Sequence, residues 1–185
     1  MKLSTLSKAC VIASTFVAMS NVSLAASGGT ITFNGKLTAS TCNSSLTGSA
    51  ADTVTLPTIS VADFTGQTAG RVNFNIVLSG CVLTGDTQVG AYFEPDAAKI
   101  DPATGHLINT ATDADKTGVS LQLLDGSSGS VIKAGDSSQL TSNTYATPDG
   151  DGAATLPYLV EYYKIGSAVA AGVVTSKVTY SLIYK

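Results

Sequence analysis

The chain has no tryptophan, a single histidine, and only 12% charged residues among its 185. A lone imidazole leaves general acid–base or nucleophilic chemistry without its usual partners, since a catalytic histidine needs a nucleophile and an orienting acid beside it. His106 sits in the polar stretch ATGHLIN and reads as a solvent-exposed loop histidine. The ten lysines and arginines form no stripe, and 13 acids outnumber them, which argues against nucleic acid as a partner. The three cysteines, Cys10, Cys42 and Cys81, make no C-x-x-C and have no histidine near them, so neither a zinc site nor a redox couple is indicated. No phosphate-cradling glycine loop occurs, and no cofactor is expected. A long helical period, an internal repeat and an interdomain linker are missing too, which leaves one β-rich domain.

What is present begins with an export signature. Lys2 and Lys8 precede a mostly apolar run from Ala9 to Met19, and Ser23 and Ala25 stand at the spacing a signal peptidase reads. Residues 1–25 are therefore expected to be a signal peptide, too short and wrongly flanked for a membrane anchor; a buried core helix is the other reading. Cleavage would remove both lysines and Cys10, leaving 8 basic against 13 acidic residues, a formal charge of −5. Cys42 and Cys81 would remain as an even pair in an oxidising compartment, for which a single disulfide is the natural reading.

Short alternating segments then recur between turn residues. GGTITFNGKL sends Ile31, Phe33, Gly35 and Leu37 one way and Thr32, Asn34, Lys36 and Thr38 the other, a β period with a glycine among its apolar teeth. TVTLPTISV reads as a strand bent or edged by Pro57, and RVNFNIVLSGC aligns Val72, Phe74, Ile76 and Leu78. VGAYFEP, VSLQLLDGSSG with its terminal turn, and LPYLVEYYKIG follow. In the last segment Val174, Ser176, Val178, Tyr180, Leu182 and Tyr184 share one parity, with Ile183 breaking the polar alternate row. The stretch from Pro95 to Lys116 reads as an acidic, exposed excursion. Many short strands at this spacing predict an all-β sandwich.

Several short motifs touch on chemistry without completing it. DGSSGS lacks the G-x-S-x-G spacing of a nucleophile elbow. Asp149 and Asp151, and Asp113 and Asp115, have calcium-loop spacing but no distal glutamate, and read as acidic turns. Asn43 opens an N-S-S sequon that carries weight only in a eukaryotic source.

Taken in order, the landmarks resemble the pilins of chaperone–usher fimbriae, close to type 1 major subunits. The alternating GGTITFNGKL lies just after the cleavage site, Cys42 follows Leu37 by five residues, and Cys81 lies 39 further on in RVNFNIVLSGC. Gly172 is fourteenth from the C-terminus and Tyr184 penultimate. Residues from about Thr84 to Thr155 carry little of the likeness.

The resemblance implies an incomplete immunoglobulin-like sandwich lacking its seventh strand. Residues 26–39 would be a donor-strand extension and 40–185 the pilin domain. Ile31, Phe33 and Leu37 would fill pockets of a neighbouring subunit, with Gly35 where that groove is too shallow for a side chain. Gly172, Val178, Tyr180, Leu182, Tyr184 and the carboxylate of Lys185 would form the groove strand that a periplasmic chaperone captures before an outer-membrane usher assembles the fimbrium at the cell surface. The implied function is a non-enzymatic structural subunit, a major pilin that supports adhesion; the alternative is a minor or adhesive pilin that binds a host or surface ligand. Two-domain tip adhesins carry a receptor-binding domain for which this chain has no expected room, and a secreted sandwich hydrolase lacks its acid–base set.

Overall fold

A computed structural model describes residues 30–47, 52–112 and 117–185. The signal-peptide reading, the first residues of the extension, and Asp113 and Asp115 lie outside them. The chain divides between Gly35 and Lys36 into two compact units. In the first, residues 30–35 have no regular secondary structure, and Ile31 and Phe33 are 75% and 87% exposed.

Seven strands are described in the second unit, all paired antiparallel. They are β1 (Thr41–Thr47), β2 (Thr68–Val82), β3 (Val89–Phe93), β4 (Val119–Asp125), β5 (Val131–Ile132), β6 (Ala154–Lys164) and β7 (Tyr180–Tyr184). One sheet runs β1-β2-β6-β4-β5 and the other is the pair β3-β7. The alternation read in β2 and β6 points Ile76, Leu78, Leu156, Tyr158 and Val160 into the interior, where Val89, Ala91 and Phe93 of β3 meet them. Tyr158 ties the sheets together: its ring is edge-on to Phe93 at 5.1 Å and tilted against Phe74 at 5.6 Å. Aromatic pairs of this kind add about 0.5–1.5 kcal/mol beyond the area they bury.

Two expectations from the sequence are corrected here. The Pro95–Lys116 excursion is not simply exposed, because Ile100 and Leu107 are buried and Leu107 exchanges both backbone hydrogen bonds with Leu121 of β4. Its acids act locally as turn formers. Asp96 accepts from the Ala98 amide, and Asp101 accepts from the Ala103 amide and the Thr104 hydroxyl. Folded back in this way, the segment lays His106 on the sheet, 7% exposed, with Nε2 3.0 Å from the Gln122 amide nitrogen and the ring 4.1 Å from that of Tyr163. Burial pushes the His106 pKa down, against the pull of Asp101. TVTLPTISV is the second: it forms no strand, and only Val54, Leu56 and Ile59 turn inward before Ser60 caps a short 3-10 turn at Val61–Asp63. Pro57 in its middle has no amide to give a ladder. The opening stretch, expected as a donor strand for another subunit, pairs with no strand among the described residues.

The DGSSG turn closes as read. Asp125 is 1% exposed and accepts from the amides of Ser127, Ser128 and Thr144, pinning the turn to the chain that precedes β6. Burial alone would raise its pKa, but the hydrogen bonds outweigh it and the carboxyl titrates below its ordinary value.

Cys42 of β1 and Cys81 of β2 are disulfide-bonded with Cα atoms 4.1 Å apart. Thr41 pairs with Val82 and Asn43 with Ser79, so the bond crosses an irregular step in the ladder. Closing this loop contributes about 4 kcal/mol in the chain-entropy model. The folded protein is expected to resist iodoacetamide until it is reduced. Cys42→Ser or Cys81→Ser should lower unfolding stability by about that amount, measured by denaturant titration; unchanged midpoints would show that the bond closes an already ordered loop.

Candidate functional site

A sheet edge presents backbone N–H and C=O groups that need partners, and this fold treats its edges differently. On β3 the outer edge is closed. Gln139, wholly buried on the short helix α1 (Gln139–Ser142), accepts from the Phe93 amide at 2.9 Å and donates to the Phe93 carbonyl at 3.0 Å. The Asn143 side chain donates to the Ala91 carbonyl, and Val89 exchanges bonds with Ala146. Side-chain amides and a single bridge thus stand in for a neighbouring strand.

No such cover exists on β7 among the described residues. Gln88 and Lys185 exchange both their backbone bonds, and the Glu94 amide donates to Thr179. By the alternation of an antiparallel ladder, the odd-numbered residues of β7 therefore face β3, and the N–H and C=O groups of Tyr180, Leu182 and Tyr184 face the opposite edge. Strand β1 likewise ends its own sheet. The two bare edges lie close together: the Tyr180 hydroxyl donates to Ser44 Oγ at 2.9 Å.

The side chains here are partly open. Val174, Ser176, Val178, Tyr180, Leu182 and Tyr184 are each half-buried while the odd residues 173–181 are exposed, and Ile183 is the half-buried exception. Leu46, Val54, Leu56, Val72 and Phe74 are half-buried against the same core. The Oγ of Ser176 is enclosed with no hydrogen-bond partner. At the Gly172 end the surface deepens into a cavity of about 580 Å³ lined by Ile59, Phe64, Val119, Tyr162 and residues 169–174. Gly172 itself is fixed by crowding. A Cβ there would stand 2.6 Å from Cγ2 of Thr117, whose hydroxyl accepts from the Asn109 amide.

At the other end, one loop after β2 holds both extremities of the unit. The amides of Thr87 and Gln88 donate to the Lys185 oxygen at 2.8 and 2.9 Å, and Lys185 Nζ lies 3.7 Å over the Tyr145 ring. Asp86, its side chain fully enclosed, accepts from Lys36 Nζ, Thr38 Oγ1 and Ser40 Oγ. The Lys36 contact, followed by the two hydroxyls, holds its pKa down at about 2. Sequence reasoning missed Asp86, because its partners lie 46 to 50 residues away and no local pattern marks it. Leu37, between two clasped residues, is 100% exposed.

A two-sheet β fold with two edges left unpaired beside a half-open apolar face is shared with solved pilus subunits. The P pilus rod subunit PapA superposes with a TM-score of 0.58 at 19% identity, covering 78% of this chain and 99% of that one. A subunit from the structure of a chaperone–usher pilus gives 0.57 at 19%, covering 85% and 96%. The family model "Type-1 fimbrial protein, A" matches residues 56–185, and the chain belongs to that family. It is 42% identical over 164 residues to the "Major fimbrial subunit SMF-1" of Stenotrophomonas maltophilia, covering 86% of this chain and 94% of that one. It is also 41% identical over 163 residues to the "F17 fimbrial protein" of Escherichia coli, covering 85% and 87%. The protein is a structural subunit of a cell-surface fimbrium.

Two outcomes test this geometry. Gly172→Ala should destabilise by about 1–3 kcal/mol through overpacking, and Thr117→Ser, which removes the opposing methyl, should recover most of the loss in the double variant; additive losses would deny the contact. For Asp86 the folded pKa lies below the ordinary 3.8. Its contribution is thus complete above that pH and is lost as pH falls toward about 2. The protection factor of the Ser40 amide, which donates to Thr38 Oγ1, should fall over that interval in the folded protein, and a flat profile would contradict the clasp.

Proposed function

We propose that this chain is a major fimbrial subunit that polymerises by strand donation, residues 26–39 of each copy filling the open face between β1 and β7 of the next. Residues 1–25 are its export signal, 26–39 the donor extension and 40–185 the receiving domain. A periplasmic chaperone covers the bare edge before assembly, contacting Tyr180, Leu182, Tyr184 and the Lys185 carboxylate, and an outer-membrane usher exchanges it for the incoming subunit. Strand addition of this kind takes affinity from main-chain bonds and specificity from alternate side chains.

Gly35 carries the reading. Nothing among the described residues requires a glycine there: its φ is not positive, and a Cβ would meet no described atom within 4 Å. The strand-donation reading supplies a steric reason for the residue, in the groove of a neighbouring subunit. The flanking teeth agree, since Ile31, Phe33 and Leu37 are 75%, 87% and 100% exposed, an arrangement that is costly in water unless a partner covers it.

The test uses both ends of the contact. Gly35→Leu should leave the subunit exported, disulfide-bonded and chaperone-bound, yet abolish filaments. A synthetic peptide of residues 26–39 should displace the chaperone and yield soluble, heat-resistant subunits, and its Gly35→Leu version should do so at least tenfold more slowly. Equal activity of the two peptides would remove Gly35 as a register position; filaments from Gly35→Leu cells together with an inert peptide would overturn strand donation.

A further inference from the structure

The root of the extension is tied down by an arrangement that the core does not call for. The carboxylate of Asp86 divides its two oxygens between three residues of one face: Oδ1 accepts from Lys36 Nζ at 2.5 Å, and Oδ2 accepts from Thr38 Oγ1 at 2.5 Å and Ser40 Oγ at 2.8 Å. Ser40 Oγ also accepts from the Thr84 amide, and Ser40 N donates to Thr38 Oγ1. Cys42, next in the same parity, is bonded to Cys81. Four successive even-numbered residues are therefore held by an ion pair, two hydroxyls and a disulfide, while Leu37 between them points wholly to solvent. A buried carboxylate is unfavourable unless it is paired and hydrogen-bonded, and the side-chain donors described for Asp86 all come from residues 36–40.

The same loop grips the receiving side. Thr87 and Gln88, directly after Asp86, hold the Lys185 oxygen at the end of β7. The root of the strand that a subunit gives and the end of the strand that borders its own groove are thus referenced to three consecutive residues.

We propose that Asp86 is a positioning residue for assembly, clasping Lys36, Thr38 and Ser40 so that the extension leaves its domain at a fixed point and heading, which makes the joint between successive subunits stiff. The proposal rests on the strand-donation reading above. Its mechanical consequence follows from chain geometry. Without the clasp the extension would be loose back to the start of β1 at Thr41, adding the five residues 36–40 and roughly 17 Å of reach at the span of an extended chain. With the clasp closed that slack is gone, and the heading of one subunit is passed to the next through the Asp86–Gln88 loop. Lys36 is the replaceable half, because its side chain is 67% exposed and Asp86 is enclosed.

Filaments of Lys36→Met, Lys36→Arg and Asp86→Asn would be imaged by electron microscopy and their persistence lengths compared. In parallel, each variant subunit would be mixed with the wild-type peptide of residues 26–39 to measure its competence as an acceptor. Lys36→Met should at least halve the persistence length with peptide capture and thermal stability unchanged, and Lys36→Arg should restore it. Assembly failure in Lys36→Met with normal peptide capture and rescue by Arg would equally support a donor-side role. Wild-type stiffness in Lys36→Met, or a parallel loss of peptide capture, would overturn the proposal, the latter by showing a merely structural contact. Should the Asp86→Asn subunit fail to fold, the lysine variants decide alone. Failure of the wild-type subunit to capture the peptide would instead strike at strand donation itself, so the two readings fail separately.

Discussion

The organising constraint in this molecule is the hydrogen-bonding demand of a strand edge. Each residue of an outer strand turns an N–H and a C=O outward, and the fold must pair, shorten or cover them. It covers β3 with Gln139, Asn143 and Ala146, and it shortens β5 to two residues. On β1 and β7 it does neither. Half-burial accompanies the open edge: Tyr180, Leu182 and Tyr184 of β7 pack against the core yet stay partly exposed. An amide side chain such as Gln139 can satisfy one or two backbone groups permanently. Only another strand can satisfy a whole row of them and still be exchanged.

An open edge weakens the domain that carries it, and the compensating devices cluster nearby. The disulfide joins β1 to β2 at the strand that lacks an outer neighbour. The loop after β2 fixes both Ser40, just before β1, and Lys185, just after β7, through Asp86, Thr87 and Gln88. Tyr180 reaches across to Ser44, tying the two edges to each other. Away from the opening the packing is ordinary, and Tyr158 with Phe74 and Phe93 locks the sheets where both are complete.

How much of this was legible depends on whether the information is local. The period of two in residues 174–184, including the exception at Ile183, is visible because alternation records burial residue by residue. Strands β2 and β6 are legible for the same reason, whereas β4 is buried at every position and its polar Ser120 and Gln122 do not mark an exposed face. The segment around Asp96 and Asp101 was misread because a carboxylate that caps a turn looks like one that is merely solvated, and the apolar Ile100 and Leu107 beside it are too sparse to form a period. His106 went with it. The Asp86 clasp was illegible, since it depends on side chains brought from 46 to 50 residues away. The likeness to the pilin family was legible from landmark spacing, yet it said little about residues 84–155, where those misreadings fall.

The opening alternation and the open edge are complementary in a way that constrains what the chain can build. Ile31, Phe33 and Leu37 have the side-chain pattern of a strand with no sheet of its own, and β7 has the backbone of a sheet with no last strand. If the two met within one subunit, both demands would be met and nothing would grow. When they meet between subunits, the surface that gives differs from the surface that receives, so the contact is heterologous and each addition leaves one of each unspent. Such a contact closes into a ring only if its rotation happens to return on itself. A root held by Asp86 limits the headings that each joint can adopt, and a narrow range of headings favours a long regular filament over small rings and tangles.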